Sequence, residues 1–249
     1  MDNGLLLKNE ETAFRLRGLY RSYGYQPYKM SKFEEYDLYV RNKSFLLSEN
    51  ILTFTDLDGK LMALKPDVTL SILKNGRGGA GLQKVYYSEN VYRPSATAGG
   101  YREIPQTGLE CIGRLDAAAE GEVLMLAAKS LEVISGGYLL DVGHQGFVAG
   151  LLEGLDLPEG TRRRVLEAMG AKNVPALERL AVEGLLPEKA AEGLGRLALL
   201  YERPAPALAA LEPLVQNERM AAALAELRQL CALMVQRGLA EHLRLDFSI

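Results

Sequence analysis

The stretch Leu61-Met-Ala-Leu-Lys-Pro-Asp-Val-Thr69 and the later pair of segments Tyr92-Arg93 and Tyr101-Arg-Glu-Ile-Pro-Gln-Thr-Gly-Leu-Glu110 decide how this chain is read. The first is a short apolar strand running into Pro66, whose missing N–H costs nothing at the first position of a helix. Asp67 and Thr69 stand at that helix start, where a carboxylate also favours the positive end of the helix dipole. The second pair reads as strands over about Gln83–Arg93 and Tyr101–Gly113, joined by a loop that contains Gly99-Gly100. Arg102, Gln106 and Glu110 are spaced by four on the returning strand, which sets them on one face. If the two strands close as a hairpin, Arg93, Gln106 and Glu110 share a surface facing the Pro66 helix start.

Two readings of that surface are open at this point. Acids for an ammonium, with an arginine and an amide for a carboxylate, suit a zwitterionic amino acid. Each buried charge-assisted contact of that kind contributes about 1.5–3 kcal/mol. Arg and Glu on facing strands are equally the material of solvated cross-strand pairs worth under about 1 kcal/mol. Asp67 and Thr69 are also ordinary helix-capping types. The Gly99-Gly100 loop lacks a following Lys-Ser/Thr and is not a phosphate loop of the familiar kind.

Upstream, Phe14, Leu16, Leu19, Tyr20 and Tyr23 recur near helical spacing over about Glu10–Tyr23, with Gly24 as the stop. A strand around Tyr25–Met30 follows, in which Pro27 fits only an edge or a strand start. Ser31 and Glu34 have the spacing of a capping box for a further helix. Ile51–Thr55 and Lys60–Lys65 flank Asp56-Leu57-Asp58-Gly59, the composition of a tight hairpin turn. Downstream, a long helix is expected over about Ala117–Ile134 and a strand over Tyr138–Gly143. Composition shifts near residue 155, where Tyr- and Gly-rich short segments give way to Ala, Leu, Glu and Arg. Four or five helices are expected between Thr161 and Gly238. The tail returns to strand character, with Leu243, Leu245 and Phe247 on one face and Asp246 on the other.

The chain has 249 residues, with 29 basic against 32 acidic side chains and a net charge of -3. Near-balanced charge argues against a dedicated nucleic-acid binder. Two cysteines, Cys111 and Cys231, make no disulfide framework and point to a reducing cytoplasm. With only His144 and His242 beside them, a zinc site of usual spacing is not expected. Each histidine stands among apolar neighbours and reads as structural. No run of about 18 uncharged apolar residues marks a membrane span, and the start MDNGLLLKNEE is not a signal peptide.

Taken together, Leu-Lys-Pro-Asp-Val-Thr, Tyr-Arg and Tyr-Arg-Glu-Ile-Pro-Gln-Thr-Gly-Leu-Glu-Cys-Ile-Gly resemble the catalytic core of class II histidyl-tRNA synthetases. They resemble more closely the non-synthetase paralogues of those enzymes, the regulatory subunits of ATP phosphoribosyltransferase in histidine biosynthesis. The resemblance covers roughly Leu5 to Gly150 and resumes at the tail strand. It implies an α+β fold: a class II synthetase-like antiparallel sheet flanked by helices, with an all-helical insertion. The implied divisions are 1–154 for the core, 155–240 for the insertion and 241–249 for a returning, truncated core strand. Asp67 matches the acid that holds the histidine ammonium, and Thr69 its hydroxyl partner. Arg93 matches the arginine facing the aminoacyl carboxylate or phosphate, and Gln106 and Glu110 the pair contacting histidine. The region around Pro27 is similar to the class II dimerisation motif and implies a homodimer.

Departures from the synthetase pattern discriminate between the two groups. Synthetases carry an adenine-reading Glu and basic residues after the motif arginine, whereas Pro94-Ser-Ala-Thr-Ala-Gly-Gly100 has no charge. A loop without charge cannot stabilise or clamp triphosphate, so adenylate formation loses its electrostatic support. The expectation is a non-catalytic subunit without a cofactor or metal, partnered by the catalytic phosphoribosyltransferase and binding histidine. The alternative is a truncated or divergent histidyl-tRNA synthetase that activates histidine with ATP.

Overall fold

The structure is a computed structural model that describes residues 7–42, 51–75, 81–95 and 99–248. The chain divides into two compact units, 1–115 and 116–249.

In the first unit, α1 (Lys8–Ser22) begins where the Glu10 carboxylate accepts the Leu7 backbone N–H at 2.8 Å. It ends at Gly24, which adopts φ 84°. The chain then enters β1 (Gln26–Pro27), whose Pro27 lies at a sheet edge, where its missing donor breaks no ladder. The expected capping box at Ser31 is not formed, and no helix starts there. The Ser31 hydroxyl accepts the Phe33 N–H at 3.1 Å, and Phe33–Glu35 forms strand β2. Glu34 is buried and receives Lys74 at 3.1 Å, so its carboxylate is committed to a long-range partner. A short helix α2 (Asp37–Arg41) follows.

The expected Asp-Gly hairpin is present: β3 (Thr53–Thr55) and β4 (Leu61–Leu64) pair antiparallel, and β2 completes the sheet in the order β2-β4-β3. Helix α3 (Thr69–Asn75) begins three residues after Pro66, not at it. Asp67 Oδ1 accepts the Leu70 N–H at 3.1 Å and so caps the helix beyond Pro66, whose carbonyl is engaged elsewhere. The long strands β5 (Gln83–Pro94) and β6 (Tyr101–Ile112) pair antiparallel along their whole length, from Gln83↔Ile112 to Pro94↔Tyr101. Strand β1 adds to β5 in parallel. On one face of this sheet Val85, Tyr87 and Val91 pack with Val68 and Ile72 of the α3 region; from the other, Tyr86 meets Tyr20 of α1. Residues 96–98 of the loop between β5 and β6 lie outside the described residues.

The second unit opens on α4 (Ala117–Ile134), capped by the Asp116 carboxylate on the Ala119 N–H at 2.8 Å. Strand β7 (Leu140–Val142) and α5 (Gln145–Leu151) lead into five further α-helices: α6 (Glu159–Gly170), α7 (Val174–Val182), α8 (Glu188–Leu199), α9 (Pro204–Leu211) and α10 (Glu218–Gln236). A two-residue strand, β8 (Tyr201–Glu202), precedes α9. Strand β9 (Leu243–Asp246) lies between β7, in parallel, and β8, antiparallel. One core unites this unit, with Phe147, Leu194, Leu197, Leu227 and Leu245 among its buried side chains.

Leu243, Leu245 and Phe247 are buried, as their alternation predicts. Asp246, expected on the opposite face, is buried as well, at 5 % exposure. It accepts Lys172 Nζ at 2.8 Å and both the backbone N–H and the hydroxyl of Ser248. Both histidines have structural partners. His144 accepts the Gly146 N–H at the start of α5 and bonds Glu226 at 2.8 Å; His242 stacks on Tyr138 with ring centroids 4.3 Å apart.

Candidate functional site

The site lies within the first unit, where the start of α3 meets one face of the β5–β6 hairpin. The register sets Arg93 opposite Arg102, Glu89 opposite Gln106, Tyr87 opposite Gly108 and Val85 opposite Glu110. Directly opposed residues of an antiparallel pair project to the same side. Arg93 from β5 and Gln106 and Glu110 from β6 therefore share one face of the hairpin, and the helix start that carries Asp67 and Thr69 lies against it.

The contacts among them differ from those of a solvated cross-strand pair. Thr69 Oγ1 donates to Glu110 Oε1 at 2.6 Å, across 41 residues of sequence. Arg93 Nε donates to the Pro66 carbonyl at 3.0 Å, which anchors its guanidinium beside the helix start. Gln106 Nε2 donates to the Tyr87 hydroxyl at 2.9 Å, so that oxygen serves as an acceptor. Asp67 caps α3 through one carboxylate oxygen, as the capping reading expected, and its charge is nevertheless felt by Glu110. Burial pushes the Glu110 carboxyl above the usual range; the Thr69 hydrogen bond opposes this and the Asp67 charge adds to it. Tyr87 is pushed up to about 12 by burial and by the Glu110 carboxylate.

Tyr87, Lys65 and Glu89 belong to this site although nothing in the sequence reading singled them out. The Tyr87 ring lies across Gly108, where a Cβ would stand 2.6 Å from its hydroxyl oxygen, so only glycine lets the ring reach Gln106. Lys65 Nζ pairs with Glu89 Oε2 at 3.0 Å, with the lysine side chain at 0 % exposure and the glutamate at 14 %. Glu89 had a usable signal: it is four residues before Arg93 and so shares its face. Lys65 had none, because a lysine beside Pro66 reads as surface by residue type.

Carboxylates and cations balance on this face, with Asp67, Glu110 and Glu89 beside Lys65, Arg93 and Arg102. Lys65 and Glu89 satisfy each other, which leaves two carboxyl groups near Thr69, with Arg93 and the opposed Arg102 eight residues along the hairpin from the Val85–Glu110 pair. Among the described residues no group of His, Cys, Asp and Glu is arranged to hold a metal ion.

A long antiparallel hairpin edged in parallel by β1, a second, antiparallel sheet and flanking helices make up a class II synthetase-like fold. The chain belongs to the histidyl-tRNA synthetase family, whose model matches residues 6–249. Two curated relatives are named ATP phosphoribosyltransferase regulatory subunit. That of Thermus thermophilus is 32% identical over 195 residues, covering 77% of this chain and 53% of the relative. That of Syntrophotalea carbinolica is 30% identical over 241 residues, covering 94% of this chain and 56% of the relative. A solved structure from Bacillus halodurans, described as an ATP phosphoribosyltransferase regulatory subunit/histidyl-tRNA synthetase, superposes with a TM-score of 0.80 at 25% identity. It covers 98% of this chain and 66% of that one. The chain thus spans about half the length of the curated relatives it matches.

Proposed function

We propose that this chain is the synthetase-like part of a non-catalytic regulatory subunit of ATP phosphoribosyltransferase, which acts in the first step of histidine biosynthesis. The observation that carries the reading is an asymmetry. The amino-acid side of the cleft holds an organised set, Asp67, Thr69, Arg93, Gln106 and Glu110, whereas the loop Pro94–Gly100 offers a nucleotide no charged side chain. The names of the relatives support the same assignment.

In this reading Asp67 and Glu110 hold the histidine ammonium, with Thr69 fixing the Glu110 carboxyl, and Arg93 takes the carboxylate. Gln106, steadied by Tyr87, offers its amide to the rest of the ligand. The subunit binds the catalytic phosphoribosyltransferase, is required for its activity and conveys feedback by histidine. Feedback requires histidine to bind two assembly states unequally, since equal affinity shifts nothing. The chain pairs with a second copy through the region of α1 and β1 around Pro27. Residues 155–240 are an insertion into the synthetase-like core. Cys111 and Cys231, neither in a disulfide, suit the cytoplasm.

Mixing the purified chain with the catalytic phosphoribosyltransferase tests this. Stimulation of phosphoribosyl transfer, with no histidine-dependent pyrophosphate exchange by the chain alone, is the expected result. Robust exchange would establish the synthetase reading instead.

A further inference from the structure

The stretch from Lys65 to Thr69 is tied to the β5–β6 hairpin at three points. Lys65 Nζ reaches Glu89 Oε2 at 3.0 Å, the Pro66 carbonyl accepts Arg93 Nε at 3.0 Å, and Thr69 Oγ1 donates to Glu110 Oε1 at 2.6 Å. Asp67 stands between these ties. Glu89 lies on the same face as Arg93 and Glu110, directly opposite Gln106 and four residues from both Val85 and Arg93. Its neighbours along that face, Tyr87 and Val91, are buried, and its own side chain is 14 % exposed. Lys65 is held at both backbone and side chain. Its N–H donates to the Lys32 carbonyl at 3.2 Å, its carbonyl accepts the Tyr92 N–H at 2.9 Å, and its side chain is 0 % exposed.

The ion pair does not use up Glu89. Its Oε2 is engaged by Lys65, whereas Oε1 has no hydrogen-bond partner among the described residues. Since the lysine is fully buried, the accessible part of the pair belongs to the glutamate. A primary ammonium presents three N–H donors. Asp67 has one oxygen committed to the Leu70 N–H, and Glu110 has one committed to the Thr69 hydroxyl. A carboxylate whose charge Lys65 already balances supplies a third acceptor without adding an uncompensated negative charge to the face. A buried ion pair contributes little net stability relative to apolar groups of the same volume, so stability alone does not account for this one.

We infer that Glu89 is a further ligand-binding residue of this cleft, accepting one N–H of the ligand's α-ammonium beside Asp67 and Glu110, and that Lys65 is the positioning residue that holds it there. The inference rests on the histidine reading of the cleft and adds to it a residue pair that the sequence motifs do not mark.

Calorimetry on the full chain compares histidine with imidazole-4-propionate, which has the same ring and carboxylate but no ammonium. Lys65→Met/Glu89→Leu removes both charges together, and Glu89→Asp keeps a charge for Lys65 but withdraws it by one methylene. The wild type is expected to prefer histidine. The double variant is expected to bind histidine more weakly by about tenfold or more, with little change for the propionate. Glu89→Asp is expected to shift histidine in the same direction by a smaller factor, and it decides alone if the double variant does not melt cooperatively. A purely structural role weakens both ligands alike. Equal losses for the two ligands, histidine affinity unchanged in both variants, or equal binding of the two ligands by the wild type overturns the inference while leaving a histidine site in place. Failure of the wild type to bind histidine overturns that site as well. The regulatory reading is judged apart from all of these, by stimulation of the catalytic subunit.

Discussion

Thr69 and Glu110 make one contact with a structural cost and, under the proposed function, a part in recognition. The 2.6 Å hydrogen bond ties the start of α3 to β6, yet it holds a half-buried carboxyl whose charge is disfavoured by burial and by Asp67. A carboxyl whose pKa is raised by folding stabilises the fold when protonated, and that contribution is lost as pH rises through the folded pKa. Glu110→Gln keeps an acceptor for Thr69 and removes the charge. It is expected to raise the thermal midpoint at pH 7 relative to wild type, and the gain is expected to vanish below the ordinary glutamate value of 4.5, as melting across pH will show. The same substitution is expected to weaken histidine binding by about 1.5–3 kcal/mol in calorimetry. Stability gained at the cost of binding is the signature of a group retained for its ligand. Gly108 offers a separate check. Gly108→Ala forces a methyl against the buried Tyr87 ring and is expected to cost roughly 1–3 kcal/mol in denaturant unfolding.

Among the elements, the β5–β6 hairpin carries most of the site because its length fixes register over twelve residues on each strand. That register was legible: even spacing alone sets Arg102, Gln106 and Glu110 on one face, and the pairing opposite Arg93 follows once the strands close. Local signals failed where a distant partner claimed the side chain. Ser31 and Glu34 have capping-box spacing, but Lys74 takes Glu34, and a strand forms because β4 supplies a ladder. Pro66 was expected to open α3, but its carbonyl is taken by Arg93 and Asp67 caps further on. Lys65 and Glu89 illustrate a buried ion pair whose net worth is small but whose breakage is costly. Glu89→Leu leaves a fully buried lysine and is expected to destabilise the protein by about 3–5 kcal/mol, whereas Lys65→Met with Glu89→Leu is expected to recover most of that loss in denaturant titrations. In the second unit, burial works to raise the Asp246 pKa, but hydrogen bonds from Lys172 and Ser248 outweigh it and hold it below the usual carboxylate value. Lys172→Met is therefore expected to cost about 1–2 kcal/mol at neutral pH. That difference should fade as acid protonates Asp246, because the advantage of a lowered carboxyl pKa is lost as pH falls through it.

Over the whole molecule, the synthetase-like fold sets Asp67, Thr69, Arg93 and Glu110 along one face of the hairpin, while the loop from Pro94 to Gly100 carries no charged residue. Family membership was legible because the motifs occur in order along the chain. Calorimetric titration of the full chain with histidine, in the absence of ATP, addresses the cleft directly. Saturable binding that Glu110→Gln weakens by at least tenfold is the result predicted. No heat of binding from the wild type, or equal binding by the variant, would contradict a histidine site formed by these residues.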